Sequence, residues 1–188
     1  SITDLGRNAF YGCTSLSSVN YPKSWNDISG ANWWNNYESS PFRNCPALTS
    51  IVIPEGVTSI PGGAFYGASS ITSVSFPSTL TTIGECAFRG VKLSSLVLPN
   101  AVNDIESEAF AECNYLSVVD LSNTKISTIE DEAFRNCASL SNVRLPNTLT
   151  TLGEDTFNAC VSLQSIILPD SITDLGRNAF YGCTSLSS

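Results

Sequence analysis

The sequence predicts an α/β solenoid, a stack of parallel strand-and-turn coils, and three observations carry that reading. Phenylalanine recurs at a nearly constant step of about 23 residues, at Phe65, Phe88, Phe110, Phe134, Phe157 and Phe180. Each step repeats one order of residue types. The first eighteen residues, Ser1 to Ser18, return letter for letter as Ser171 to Ser188, which sets a longer period of about 170 residues over the short one. A short period of this size means a solenoid in which each unit buries its apolar side against its neighbours.

The unit Val143 to Ser165, VRLPNTLTTLGEDTFNACVSLQS, shows the order of elements. Val143-Arg144-Leu145 alternates inward and outward like a short strand, Pro146 ends it, and Leu149 and Leu152 point inward. Phe157, Cys160 and Leu163 follow at helical spacing, which predicts a short helical or irregular convex segment. Seven strands follow from the same alignment: Val19 to Tyr21, Ile51 to Ile53, Val74 to Phe76, Leu96 to Leu98, Val119 to Leu121, Val143 to Leu145 and Ile166 to Leu168. They are expected to form one parallel sheet. Proline closes six of them, at Pro22, Pro54, Pro77, Pro99, Pro146 and Pro169, where the backbone leaves the ladder and needs no N–H. With strands about 4.8 Å apart, seven coils advance the stack by roughly 34 Å. Stability is shared between neighbours, because no coil is stable alone.

The short step falls in the range of leucine-rich repeats. The stretches LPNTLTTLGEDTFNACVSL and FPSTLTTIGECAFRG resemble the BspA-like class of that family, through the combined Leu-Pro, Ile/Leu-Gly and Ala-Phe-x-x-Cys pattern. The match runs over nearly the whole chain, with Ala68 and Val91 standing where the pattern has Cys. The resemblance implies a right-handed β/α superhelix on secreted or cell-surface proteins of bacteria and protozoa. It further implies adhesion or matrix binding in place of catalysis.

Composition narrows the class from the other side. At 42% hydrophobic and 14% charged the chain is too apolar for disorder, and no run approaches the ~20 apolar residues of a membrane span. A net charge of −8 opposes nucleic-acid binding, which needs a basic stripe. Histidine is absent from the sequence, which removes the commonest general base and with it Ser-His-Asp and Cys-His catalysis. No cofactor is expected, and the carboxylates sit at repeat positions instead of converging on a cleft.

Six of the seven cysteines, Cys13, Cys45, Cys113, Cys137, Cys160 and Cys183, stand three residues after the Phe, and Cys86 stands two before Phe88. Stacked equivalents lie about 5 Å apart, within disulfide range by Cα separation. A small polarizable thiol also suits a repeated core position. Free buried thiols and disulfides therefore both stay open. No CxxC pair is present, and without histidine zinc sites have little support.

Three surfaces are candidates for function. Glu106 and Glu108, Glu130 to Glu132, and Glu154 with Asp155 fall at matching positions of three coils, so like charges stack unless a cation or a basic side chain screens them. Glu108, Glu132 and Asp155 are the candidate calcium ligands, against a plain solvated edge. Ser and Thr crowd the outward strand positions and a second ladder, Thr58, Thr81, Ser127, Thr150 and Thr173. They either satisfy turn backbone or accept O-linked sugar, whereas no Asn-x-Ser/Thr sequon exists.

The third surface is an insertion. The path from Tyr21 to Phe42 is longer by about nine residues than the equivalent path from Ile53 to Phe65, and the insertion loop, residues 23–40, holds Trp25, Trp33, Trp34 and Tyr37. Repeat insertions map to one face of a solenoid, and Trp and Tyr are frequent interface anchors. The loop either packs on its own coil, meets a neighbouring copy, or binds an extracellular protein or carbohydrate. The whole chain, 1–188, reads as a single continuous array of one long period plus an eighteen-residue overlap. Polar capping sequence is expected at neither end, consistent with continuation. Two functions follow: a non-catalytic extracellular stalk or fibril segment, O-glycosylated or bare and self-associating or continuing into further copies, or a discrete cell-surface adhesin binding host or matrix proteins.

Overall fold

Stacked coils hold together when backbone groups of one coil bond to the next, and the structure of the protein, a computed structural model, shows that pattern along its length. It describes residues 2–29 and 40–188, the side chains of Asp27 and Ser29 excepted. Short parallel strands mark the coils: β1 (Asp4–Gly6), β2 (Asp27–Ser29), β3 (Ser50–Val52), β4 (Ser59–Ile60), β5 (Ser73–Ser75), β6 (Thr82–Ile83), β7 (Ser95–Val97), β8 (Asp104–Ile105), β9 (Val118–Asp120), β10 (Thr128–Ile129), β11 (Asn142–Arg144), β12 (Thr151–Leu152) and β13 (Asp174–Leu175). From β3 to β12, five consecutive coils carry two strands each.

The strands run along two lines. One line is a six-stranded sheet in the order β13-β12-β10-β8-β6-β4, and its register stacks Ile60, Ile83, Ile105, Ile129, Leu152 and Leu175 in a column. The other holds a three-stranded sheet, β11-β9-β7, and a two-stranded one, β3-β5, with Ile51 over Val74 and Leu96 over Val119 and Val143. A fourth sheet pairs β1 with β2, Leu5 against Ile28. Alternation sends Ile51, Leu96, Val119 and Val143 inward and their neighbours to solvent.

Three expectations are corrected here. The single sheet of seven strands is instead two lines of strands over about five turns. Five of the predicted strands begin one residue earlier than expected, as β3, β5, β7, β9 and β11, while Val19 to Tyr21 and Ile166 to Leu168 form no strand. The third correction concerns the convex side, where no helix occurs among the described residues. Its reason is visible in the hydrogen bonds around Phe110. Ala109, Ala111 and Cys113 donate back to Glu106, Glu108 and Phe110 of their own coil, whereas Glu108, Phe110 and Glu112 donate to Asp131, Ala133 and Arg135 of the next. A helix needs every N–H for its own ladder. Here alternate N–H groups are committed to the neighbouring coil, so the segment is a chain of tight turns.

That alternation demands left-handed backbone twice per coil. Glu108 and Glu112 take φ of 56° and 60°, and the equivalents Glu132, Asn136, Asp155 and Ala159 lie between 56° and 58°. Non-glycine residues rarely enter this region, and Asn and Asp enter it most easily. Between the two left-handed residues the phenylalanine points inward. Phe10, Phe42, Phe65, Phe88, Phe110, Phe134, Phe157 and Phe180 stack with centroids 5.3 to 5.7 Å apart. Stacking of this kind adds to the area each ring buries. The ring stack and the Ile/Leu column form one contiguous core from Leu5 to Cys183.

Candidate interaction surfaces

The insertion divides into two parts. Trp25 is 2% exposed and packs on Tyr21 at 5.2 Å and edge-on to Phe42 and Phe65 at 6.0 Å. Its indole fills the core of the enlarged coil. Trp33, Trp34 and Tyr37 lie outside the described residues. Beside Trp25 the Tyr21 hydroxyl is buried without a hydrogen-bond partner among the described residues, and burial pushes its pKa upward. The ring stack crosses the insertion regardless, Phe10 on Phe42 at 5.4 Å.

The cysteine column is a set of hydrogen-bond rungs. Five of its six sulfurs reach the phenylalanine carbonyl of the preceding coil: Cys45 to Phe10 at 3.0 Å, Cys113 to Phe88 and Cys137 to Phe110 at 3.2 Å, Cys160 to Phe134 at 3.3 Å and Cys183 to Phe157 at 3.1 Å. All seven cysteines are free thiols, with Cys13 only half-buried. Burial pushes Cys113 and Cys160 up to about 12, so at neutral pH they are protonated donors and poor nucleophiles. Cys86, at a left-handed position with φ 54°, is likewise raised to about 12 by burial, then by Glu108 and Glu85.

In the acidic corner four carboxylates form ion pairs with three arginines. Arg89 forms ion pairs with Glu108 and, at 2.6 Å, with Glu112; Arg135 pairs with Glu132 at 2.6 Å, and Arg177 with Glu154. Asp155 accepts from the Asn158 amide at 2.5 Å. Glu108, Glu132 and Asp155 are thus each drawn to a separate partner. Among the described residues no three or more ligating side chains converge to hold a metal ion. Arg89 screens the stack, a role that no spacing in the sequence signals. Glu85, Asp104, Glu106 and Glu130 line an open depression with Ser107. The Glu130 carboxyl is raised there, by burial first and then by Asp104, Asp131 and Glu106.

The hydroxyls sort the same way. Thr81, Thr150 and Thr173 donate to the carbonyls of Thr58, Ser127 and Thr150 at 2.8, 2.9 and 3.3 Å. A second set, Thr72, Ser117 and Ser141, reaches Thr49, Ser94 and Ser117 at 3.3, 2.9 and 3.2 Å. Nothing in the sequence separates these rungs from Ser50, Ser73, Ser75 and Ser95, which are exposed and make no side-chain hydrogen bond among the described residues. Along that strand face Val52 and Val97 are about two-thirds exposed and Ile167 is 87% exposed. A depression lined in part by Ile167, of about 460 Å³, lies between β11 and residues 165–169. No helix among the described residues is long and apolar enough to cross a membrane.

A coil of this geometry, with two strands, paired left-handed turns and a Phe-Cys rung, defines a leucine-rich-repeat solenoid. The chain belongs to the BspA-type leucine-rich repeat family, whose pattern matches it in six copies over residues 1–39, 35–127 and 120–188. It is similar to a leucine-rich repeat protein of T. pallidum (TM-score 0.66, 29% identity, 100% of this chain and 72% of that one). It is also similar to a leucine-rich repeat protein of Bacteroides ovatus (TM-score 0.65, 28% identity, 100% of this chain and 52% of that one). A leucine-rich cell-surface protein of Faecalibacterium prausnitzii matches with a TM-score of 0.50 and 26% identity, over 99% of this chain and 69% of its own. The chain thus spans about half the length of the Bacteroides ovatus protein. No curated protein matches it.

Proposed function

We propose that the chain is a non-catalytic, extracellular structural repeat protein, one period of a tandem array that forms a stalk or fibril, with residues 1–188 a single continuous solenoid. The observation that carries this reading is the stack of eight phenylalanine rings, which passes the enlarged unit without a break. Five thiols, the carboxylates of Glu106, Glu108, Glu112, Asp131 and Glu154, and two hydroxyl ladders are committed to neighbouring coils, which supports a scaffold role. The cell-surface description of the Faecalibacterium prausnitzii relative supports an extracellular location. The net charge of −8 supports partners other than nucleic acid. Ser50, Ser73, Ser75 and Ser95 are the hydroxyls this reading assigns to O-glycosylation. Imaging of a protein with two consecutive long periods tests it: one unbent rod of doubled length is expected, and two bodies hinged at the join overturn it.

A second reading, a cell-surface adhesin, is favoured by the apolar side chains exposed on the strand face. It predicts saturable binding to a matrix protein that Val97→Asp or Ile167→Asp abolishes. If Trp33→Ala and Trp34→Ala abolish that binding instead, the insertion is the contact.

A further inference from the structure

The second line of strands is built on one repeated bond. The Thr58 carbonyl accepts from the N–H groups of Thr81 and Thr82 at 2.8 and 3.1 Å, and that of Thr81 from Asn103 and Asp104 at 3.0 and 3.2 Å. The Ser127 carbonyl accepts from Thr150 and Thr151 at 2.8 and 3.1 Å, and that of Thr150 from Thr173 and Asp174 at 2.9 and 3.1 Å. Between them Lys125 donates to Val102 instead, at 2.9 Å, and β10 stays paired with β8. The register of β4 with β6 makes Thr58 and Ser59 the equivalent donors of their own coil. The bond from Asn26 N–H to the Thr3 carbonyl at 3.1 Å makes Asn26 the equivalent acceptor before them. That bond is not made. β2 pairs with β1 and β4 with β6, but β2 does not pair with β4, so the line is interrupted at the enlarged unit. Among the described residues neither the Thr58 nor the Ser59 N–H has an acceptor in the coil before it.

A depression of about 270 Å³ lies at the interruption, lined by Thr3, Lys23, Ser24, Trp25, Asn26 and residues 56–59. Its chemistry is one-sided. Thr58 and Ser59 bring two adjacent N–H donors, and Lys23 brings an ammonium that forms no ion pair among the described residues. The carboxylate beside this corner, Glu55, is drawn to the next coil, where it accepts from the Ser78 N–H at 2.9 Å and the Ser78 hydroxyl at 3.0 Å. Adjacent backbone N–H groups form a concavity for an anion, and an ionised partner roughly doubles the strength of each bond.

We infer that the interruption between β2 and β4 is a binding site for a carboxylate-bearing sugar. The carboxylate takes the place of the missing Asn26 carbonyl, accepting from the N–H groups of Thr58 and Ser59 and from the Lys23 ammonium. The rest of the lining selects what carries that carboxylate. Hydroxyls of Thr3, Ser24, Thr58 and Ser59 and the Asn26 amide each donate and accept, which matches the hydroxyls of a sugar ring and not the apolar stem of an acidic side chain. The volume lies just below the range of about 300–1,000 Å³ that drug-sized ligands occupy, so the site takes a single ring. A neutral sugar would leave three strong donors without an anion to receive them. The inference goes beyond the array and adhesin readings, since it holds whether or not copies are joined.

Titration of the full, isotope-labelled chain with glucuronate, followed by the amide resonances in solution NMR, tests the site. The Thr58 and Ser59 amide signals are expected to shift and saturate, with a Kd about tenfold below that for acetate and no matching response to glucose. Lys23→Gln, at an exposed position, is expected to keep the parent's spectrum and weaken glucuronate about tenfold, whereas Lys23→Arg keeps the charge and should retain binding. Lys125→Gln, exposed on another coil, should bind like the parent. Glucuronate that leaves the Thr58 and Ser59 signals unmoved overturns the inference, as does binding that Lys23→Gln leaves unchanged or Lys125→Gln weakens equally. Glucose bound as tightly as glucuronate would remove the carboxylate from the recognition. Acetate or an acidic peptide bound as tightly would remove the sugar, and either result overturns the assignment.

Discussion

Ser1–Ser18 and Ser171–Ser188 are the same eighteen residues, yet one buries what the other exposes. Leu5 is covered and Leu175 half-exposed, whereas Cys183 is buried and Cys13 only half so. Within residues 1–188 each copy packs against one coil, on opposite sides. Burial in this molecule is therefore a property of the interface between coils, as nearest-neighbour stabilisation of repeat proteins requires.

Three tests press on that comparison, beginning with the largest expected effect. Phe134, fully buried between Phe110 and Phe157, should cost about 3–5 kcal/mol when replaced by Ala. Phe10→Ala, with a ring on one side, should cost about 1–2 kcal/mol in the same denaturant titration. Equal losses would mean that neighbours do not set the energy.

Gly176→Ala comes next. A methyl group there would overlap backbone atoms of Gly153 and Glu154, and relief of that overlap should cost about 3 kcal/mol. At Gly6, the same position in the first copy, nothing lies within 4 Å, so Gly6→Ala should shift the unfolding midpoint little. A matching loss at both positions would show that the glycine serves its own coil and not the coil before it.

The smallest effect is in the thiols. Cys13 should react with maleimide before Cys183, whose pKa burial raises, and Cys113 should react only on unfolding. Because Cys86, Cys113 and Cys160 are raised from near 9 to about 12 in the folded chain, their contribution is intact below pH about 9 and is lost as pH climbs toward about 12. The melting temperature should fall over that window, and Cys113→Ala should flatten the fall. A flat profile in the parent would contradict burial of the thiol column.

Most of the repeat is legible in the residues alone. The Phe and Cys columns, the inward Leu and Ile positions and the five strands β3, β5, β7, β9 and β11 follow from periodicity, because stacking forces equivalent residues into equivalent environments. The second line of strands is harder to read, since Thr151–Leu152 and its equivalents are only two residues long and carry no alternation of their own. The convex turns read as helix for a related reason. Phe157, Cys160 and Leu163 have helical spacing, and only the inter-coil bonds from Asp155, Phe157 and Ala159 to Arg177, Ala179 and Tyr181 show where their N–H groups go.

The candidate surfaces are legible in composition but not in role. Trp25 reads in sequence as one more aromatic of the insertion, and the core claims it edge-on to Phe42 and Phe65. Ser75 and Thr81 both read as surface hydroxyls, and only Thr81 reaches a carbonyl of the neighbouring coil. Sequence alone determined the period, the family and the residues that face inward, since those depend on the repeat of residue types. Tertiary structure decided which hydroxyls and carboxylates are engaged and that Trp25 belongs to the core, because hydrogen-bond partners and packing neighbours come from coils a full repeat away and no local pattern records them.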